Sequence, residues 1–190
     1  MKEKTPFYLI HTLDERLIDQ LYEKINLINN SDWRVANDVA LKEGRTFINL
    51  SRSSVWDEGK NPAINFSKIT NNTFYLDKKY YNLHPELNNI IEICKGFYKS
   101  QHIGQIYLSI MKPFAKVLPH LDRGEYYSHH HRLQIGLQNT ERAIFTVGGA
   151  DFSIKKGEVW CFDNLRIHEV KNHSELSRYS LIVDIYEPTK

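Results

Sequence analysis

Residues 143–186 read AIFTVGGADFSIKKGEVWCFDNLRIHEVKNHSELSRYSLIVDIY. Runs rich in β-branched and aromatic residues fall at 143–147, 151–154, 158–162, 168–170 and 179–186. Gly148-Gly149, Lys156-Gly157 and Asp163-Asn164 separate them, and these are residue types that turns favour, because glycine tolerates positive φ and Asn or Asp can bond its own backbone. Strands this short at this spacing pack as a sandwich, a jelly roll or a barrel. Upstream, 106–111 and 132–138 continue the pattern, so from Ile103 onward the apolar period is about 2.

Before Ile103 the period is helical. Leu13, Leu17, Leu21, Ile25 and Ile28 share one face, with Thr12 as N-cap and Glu15 three residues on as its capping-box partner. This predicts a helix to about residue 29. A second helix starts near His84-Pro85, where a first-turn proline gives up no hydrogen bond. Its buried stripe is Leu87, Ile90, Ile91, Cys94 and Phe97, and it ends before Ser100. Asn, Ser, Asp and Gly break up residues 30–73, leaving a strand-like piece at 45–50 and a polar loop at 51–61. The layout is one domain, 1–190, mainly β with flanking helices: a helical and strand-bearing segment over 1–102, then a β core over 103–190.

A chain of 190 residues, 41% hydrophobic, is long enough to bury a core without staples. Lys plus Arg is 25 against 23 for Asp plus Glu, a balance that argues against nucleic-acid or anionic-membrane binding, which needs a basic stripe. Cys94 and Cys161 are too few for a disulfide framework or a thiolate zinc site. The apolar run Phe7-Tyr8-Leu9-Ile10 falls short of the ~7–15 residues of a secretory signal. No stretch approaches the ~18 apolar residues of a membrane helix, so the expected compartment is cytoplasmic.

Three residues stand out by position: His120, Asp122 and His168. His120-Leu121-Asp122 is H-x-D, which on an extended strand sends both side chains to one face. His168 opens another strand 48 residues later. If the two strands are neighbours, two imidazoles and a carboxylate converge, the ligand set of non-haem Fe(II) oxygenases with one coordination face open. Arg178 lies ten residues past His168, an even spacing that places both on one face of a strand. An inward guanidinium wants a carboxylate, and 2-oxoglutarate offers one at the end remote from the metal. Taken alone, H-x-D with a distant histidine also fits surface or satisfied core residues, and Arg178 also fits an ion pair with Glu175 or Glu169.

The sequence goes further and resembles the aspartyl/asparaginyl β-hydroxylase family of Fe(II)/2-oxoglutarate dioxygenases. The likeness is carried, in order, by Gly104-Gln105-Ile106, Ser109-Ile110-Met111-x-Pro113, Pro119-His120 and Arg132-x-x-x-Gly136-Leu137. It continues through Gly157-Glu158-Val159, Phe162-Asp163, His168-Glu169-Val170 and Arg178 followed by Ile182-Val183-Asp184. The resemblance implies a double-stranded β-helix, the jelly-roll, cupin-like option among those above. It implies iron held by His120 and His168, with Arg178 on the distal carboxylate of 2-oxoglutarate and Ser109 assisting it. Arg132 matches an arginine that contacts cosubstrate or substrate, and Gln134 replaces the family's usual histidine. Asp122 stands where animal members have glycine; small bacterial proline hydroxylases keep the H-x-D, and here it completes the metal triad.

The reaction implied is hydroxylation of a C–H by O2, coupled to decarboxylation of 2-oxoglutarate to succinate and CO2. The substrate expected is a free or peptidyl amino acid of the proline, aspartate or asparagine type. Arg34, Arg45, Arg52 and Trp56 then belong to a segment that covers it, Tyr126 or Arg123 contacts it, and His129 and His131 are solvated loop residues. Asp163 is a candidate to orient the metal-binding histidines, though it also fits as a turn residue. The alternative is a non-catalytic jelly-roll binding or sensor protein, favoured only by the substituted Gln134.

Overall fold

The structure is a computed structural model that describes residues 5–33, 44–53, 74–138 and 142–187. The first strands are β1 (Phe7–Thr12), β2 (Arg45–Asn49), β3 (Ser51–Ser53) and β4 (Phe74–Leu76). The core strands are β5 (Ile103–Met111), β6 (Lys116–His120), β7 (His130–Gly136), β8 (Ala143–Val147), β9 (Ala150–Ser153), β10 (Glu158–Phe162), β11 (His168–Asn172) and β12 (Arg178–Tyr186). The helices are α1 (Glu15–Ile25), α2 (His84–Tyr98) and a single turn, α3 (Glu125–Ser128). A six-stranded sheet in the order β1-β10-β7-β12-β5-β2 faces a four-stranded sheet in the order β6-β11-β8-β9. Neighbouring strands in both run antiparallel. This is a jelly roll with helices outside, the β-rich option of the sequence reading.

The pleat of the large sheet separates two cores. Ile106 and Leu108 of β5, Leu133 and Ile135 of β7, and Leu181 and Val183 of β12 point outward against Ile18, Leu21 and Ile25 of α1 and Leu87, Ile90 and Cys94 of α2. Each such side chain contributes ~1.5–3 kcal/mol when fully buried. On the other face Met111 and Phe162 meet Val117, Phe145, Val147, Phe152 and Val170 of or beside the small sheet. β-Strands alternate faces residue by residue, so odd positions of β5 and even positions of β7 and β12 look into the jelly roll.

Several local expectations need correction. The N-terminal apolar run is β1, paired with β10 at the edge of the large sheet. The first helix is shorter than its period suggests and is capped by Asp14, whose Oδ1 accepts from the N–H groups of Arg16 (2.9 Å) and Leu17 (3.3 Å). Thr12 instead closes β1. Helical periodicity misled because Leu13 belongs to the same core as the helix while preceding it. The polar stretch after Leu50 begins as β3; the rest of that predicted loop, with Trp56, lies outside the described residues, as does Arg34. The β8–β9 hairpin turns at Gly148 (φ 57°) and Gly149 (φ 83°), the two positive-φ positions that a tight hairpin requires.

Gly136 marks a close crossing. A Cβ there would lie 2.2 Å from the Lys155 carbonyl oxygen and 2.9 Å from its carbon, both backbone atoms. Gly136→Ala is therefore expected to lower stability by about 1–3 kcal/mol or more, read as a shift of the urea midpoint at unchanged slope. A midpoint equal to wild type would mean that the two backbones are not in contact.

Candidate functional site

β6 and β11 are hydrogen-bonded neighbours, and His120 lies directly opposite His168. Further along the pair Val117 is opposite Val170, so three steps on β6 match two on β11. The extra residue is a β-bulge, which re-aims the strand so that Val117 and His120 line one cavity despite their odd spacing. The two imidazole centroids are 4.2 Å apart. Each ring is oriented by its own backbone: Nδ1 of His120 bonds the Leu118 carbonyl (2.8 Å), and Nδ1 of His168 bonds the Arg166 carbonyl (2.9 Å). A carbonyl only accepts, so Nδ1 carries a proton in both rings, and it is Nε2 that offers the lone pair of the neutral imidazole. Burial, partly opposed by the Arg166 carbonyl, pushes the His168 imidazole below its usual pKa and so favours the neutral ring, the form that can bind a metal.

Asp122 lies just past β6, anchored by its N–H on the Asn164 carbonyl (3.0 Å). Its Oδ2 accepts from Arg132 Nη1 (2.7 Å) and Asn164 Nδ2 (3.3 Å). Oδ1 faces His120 Nε2 at 4.0 Å. One ligand atom each from His120, Asp122 and His168 lie within 4.8 Å of one another. Two neutral nitrogens and one anionic oxygen are the donor set that Fe(II) takes in a facial triad, so the residues present fit the metal.

Two buried arginines border this cavity, and their circumstances are opposite. Arg132, on β7, is opposite Asp184 of β12. Its Nε and Nη2 donate to the two oxygens of Asp184 at 2.9 and 2.8 Å. Burial opposes its charge, but Asp184, with Tyr107 and Asp122, more than offsets that and holds its pKa above the usual range. Arg178, at the start of β12, is 5% exposed. Its hydrogen-bond partner is Gln134 Oε1 at 3.4 Å, and its guanidinium lies 4.5 Å from the Phe145 ring centroid. No carboxylate among the described residues pairs with it, and Glu169 is held by Lys171 (2.9 Å). Burial, together with the charge of Arg45, pushes its pKa down to about 9, which still leaves it cationic at pH 7. A buried cation without an anion is a costly arrangement, one that an anionic ligand would relieve.

The cavity brings together His120, His168, Ser109, Arg132, Gln134 and Arg178, with Asp122 at its edge through the contacts above. The even spacing from His168 to Arg178 placed them on one strand face; in the structure they stand on different sheets and meet across the interior. Ser109 is opposite Ser180, two residues along β12 from Arg178 on the same face. Arg45 is a wall residue of the cavity on β2, beside Arg178, and not part of a covering loop. Tyr126 is buried and does not line this cavity, donating its O–H to Asp184 Oδ2 (2.9 Å) and accepting the Gln105 N–H (2.7 Å). Asp163 is a turn residue bonded to Arg166 and the Leu165 N–H, and backbone carbonyls do the orienting expected of it. The histidine run is structural as well: His130 is buried against Tyr126, and His131 stacks on Tyr98 and bonds Glu187. Asn164 and Asp184, which hold Asp122 and Arg132, were given no role by the sequence reading. Asp184 signals itself as an acid inside the apolar run 181–186, whereas Asn164 reads as a turn residue and carries no signal of its bond to Asp122.

The family model for aspartyl/asparaginyl β-hydroxylase matches residues 41–188 of this chain. No curated protein matches it in sequence. Among solved structures it is similar to a prolyl-4-hydroxylase from Pseudomonas putida (14% identity, 96% of this chain and 92% of that one, TM-score 0.57). A 2OG-Fe(II) oxygenase family oxidoreductase from Burkholderia pseudomallei superposes at TM-score 0.63, with 12% identity over 95% of this chain and 84% of that one. A collagen prolyl hydroxylase of Paramecium bursaria Chlorella virus 1, solved with 2OG, shares 9% identity over 97% of both chains at TM-score 0.58. At these identities the likeness to solved structures is one of fold. No helix among the described residues is long and apolar enough to cross a membrane.

Proposed function

The chain belongs to the aspartyl/asparaginyl β-hydroxylase family of Fe(II)/2-oxoglutarate oxygenases, and on that premise we propose that His120, Asp122 and His168 hold the iron. Arg178 holds the distal carboxylate of 2-oxoglutarate, with Gln134 and Ser109 beside it. The substrate is an amino acid, free or in a peptide, of the proline, aspartate or asparagine type. Its class is supported by the family's name and by two prolyl hydroxylases among the structural neighbours. The observation that carries the reading is the meeting, in one cavity, of a two-histidine, one-carboxylate donor set with a buried, uncompensated guanidinium.

Bound iron with its cosubstrate supplies oxidative decarboxylation to succinate and CO2 and the insertion of oxygen from O2 into a C–H bond. The protein supplies placement. His120 and His168 present Nε2 because their Nδ1 atoms are fixed on Leu118 and Arg166. Arg178 sets the orientation of a dicarboxylate by gripping the end remote from the metal. Phe145, Phe162, Val170 and Ile182 supply apolar wall between the polar groups, which limits the water held around them. A non-catalytic binder would tolerate a broken ligand set, and here all three donors converge.

Purified protein with Fe(II), ascorbate and 2-oxoglutarate is expected to release succinate above its uncoupled background when a proline-, aspartate- or asparagine-containing amino acid or peptide is present. The twenty amino acids and short peptides form the first panel. No succinate under any condition, with folded protein and iron bound, would end this reading.

A further inference from the structure

We propose that Arg132 is a positioning residue for Asp122, fixing which carboxylate oxygen faces the metal, and not a contact to the cosubstrate. This rests on the metal-site reading above and departs from the role that the resemblance implies for Arg132.

The argument starts from what each ligand leans on. Both histidines are aligned by carbonyls two residues back along the chain, Leu118 within β6 and Arg166 just before β11, so their orientation is local. Asp122 has no such local support, because it sits beyond the last residue of β6. Its carboxylate is held by side chains distant in sequence, Arg132 and Asn164, and both act on Oδ2. Oδ1 takes no hydrogen bond among the described residues and faces His120. Arg132 therefore selects the free oxygen.

Arg132 is itself immobilised. Two of its nitrogens engage both oxygens of Asp184, which fixes the guanidinium plane as only a bidentate pair does. Asp184 is fully buried and also accepts the Tyr126 O–H, while Tyr126 accepts the Gln105 N–H. Every donor and acceptor role is thus settled: donation runs from the Gln105 N–H through Tyr126 to Asp184, and from Arg132 outward to Asp184 and Asp122 alike. The Tyr127 ring lies 4.9 Å and the Tyr107 ring 5.5 Å from the guanidinium carbon, closing its faces. What remains for Nη1 is Asp122. Arg178, by contrast, has no carboxylate partner among the described residues, so the two buried arginines divide the work: one aligns a ligand, the other awaits an anion.

The test uses the full chain and Mn(II) as the metal probe, titrated by calorimetry without cosubstrate. Arg132→Lys keeps the charge and loses the fork. It is expected to weaken Mn(II) binding about 10- to 100-fold, the usual effect of removing a ligand's outer partner. The Kd for 2-oxoglutarate at saturating Mn(II) is expected to stay at the wild-type value. In an Asp122→Ala background Arg132→Lys is expected to change Mn(II) affinity no further, a non-additivity that a merely structural role would not produce. Should the lysine variant fail to fold, the paired change Arg132→Gln with Asp184→Asn removes both buried charges together, and the same loss of Mn(II) affinity is expected. Wild-type Mn(II) affinity in these variants, or a raised Kd for 2-oxoglutarate in place of a metal defect, would overturn the proposal while leaving the metal site standing. Failure of the wild-type chain to bind Mn(II) would overturn the metal site and this inference together.

Discussion

Arg178→Met is expected to stabilise the protein and at the same time strip it of 2-oxoglutarate affinity. The guanidinium is buried beside Met111 and Phe145, with Gln134 at 3.4 Å as its hydrogen-bond partner and the like charge of Arg45 nearby. Replacing buried charge by an apolar side chain of similar length is often neutral or stabilising by ~1–4 kcal/mol. In a chain of this size each kcal/mol moves the Tm by about 2–4 °C. The same substitution removes the charged partner of a buried carboxylate, which costs about 2–5 kcal/mol of binding. That corresponds to roughly 30- to 4,000-fold in Kd. Thermal unfolding and a 2-oxoglutarate titration of Mn(II)-loaded protein measure the two effects separately. A lower Tm would show that the arginine is satisfied in the free protein, and an unchanged Kd would place the anion elsewhere.

The other large effect concerns the metal. His120→Ala and His168→Ala are each expected to take succinate formation below detection. Their Mn(II) affinity should fall by more than the ~10–100-fold seen for outer partners, because a donor atom itself is gone. The two variants should differ in stability. The His120 side chain is 42% exposed, so its loss leaves little behind. His168 is buried against Phe162, with ring centroids 5.1 Å apart, and its truncation opens a cavity. His168→Ala should therefore melt measurably below His120→Ala. A doubly substituted protein that binds Mn(II) like wild type would refute the ligand assignment.

Much of this site was legible because metal chemistry restricts residue types. H-x-D and a later histidine form a recognisable donor pattern, and the β period of their surroundings predicts strands that can bring them together. The bulge between Val117 and His120 was not legible, since it appears only when two strands are laid in register. Arg178 reached the cavity by a route the spacing argument did not anticipate. Parity describes one strand, and the chain leaves the small sheet after Asn172 and joins the large one at Arg178. The role proposed for Arg132 depends on Asp184, an acid inside the apolar run LIVDIY, and on Asp122, whose side-chain partners come from two other parts of the chain. A charge at a strand position that must be buried is a readable signal, but its partner is fixed by cross-strand pairing, which one sequence does not reveal. The first helix shows the limit at small scale: Thr12 and Asp14 are both good caps, and the choice fell to the one outside β1.

The large sheet carries grease on one side and reactive groups on the other, interleaved one residue at a time. Leu133 and Leu181 anchor helices, whereas their neighbours Arg132, Gln134 and Ile182 look into the chamber. A single-residue deletion in the middle of β7 or β12 would transpose the two sets, exposing charge to the helix layer and aliphatic carbon to the iron. Length in these strands is therefore constrained as tightly as identity: the helix-facing positions should exchange one aliphatic residue for another, whereas Arg132, Asp184 and Arg178 should stay and insertions should fall only at the strand ends.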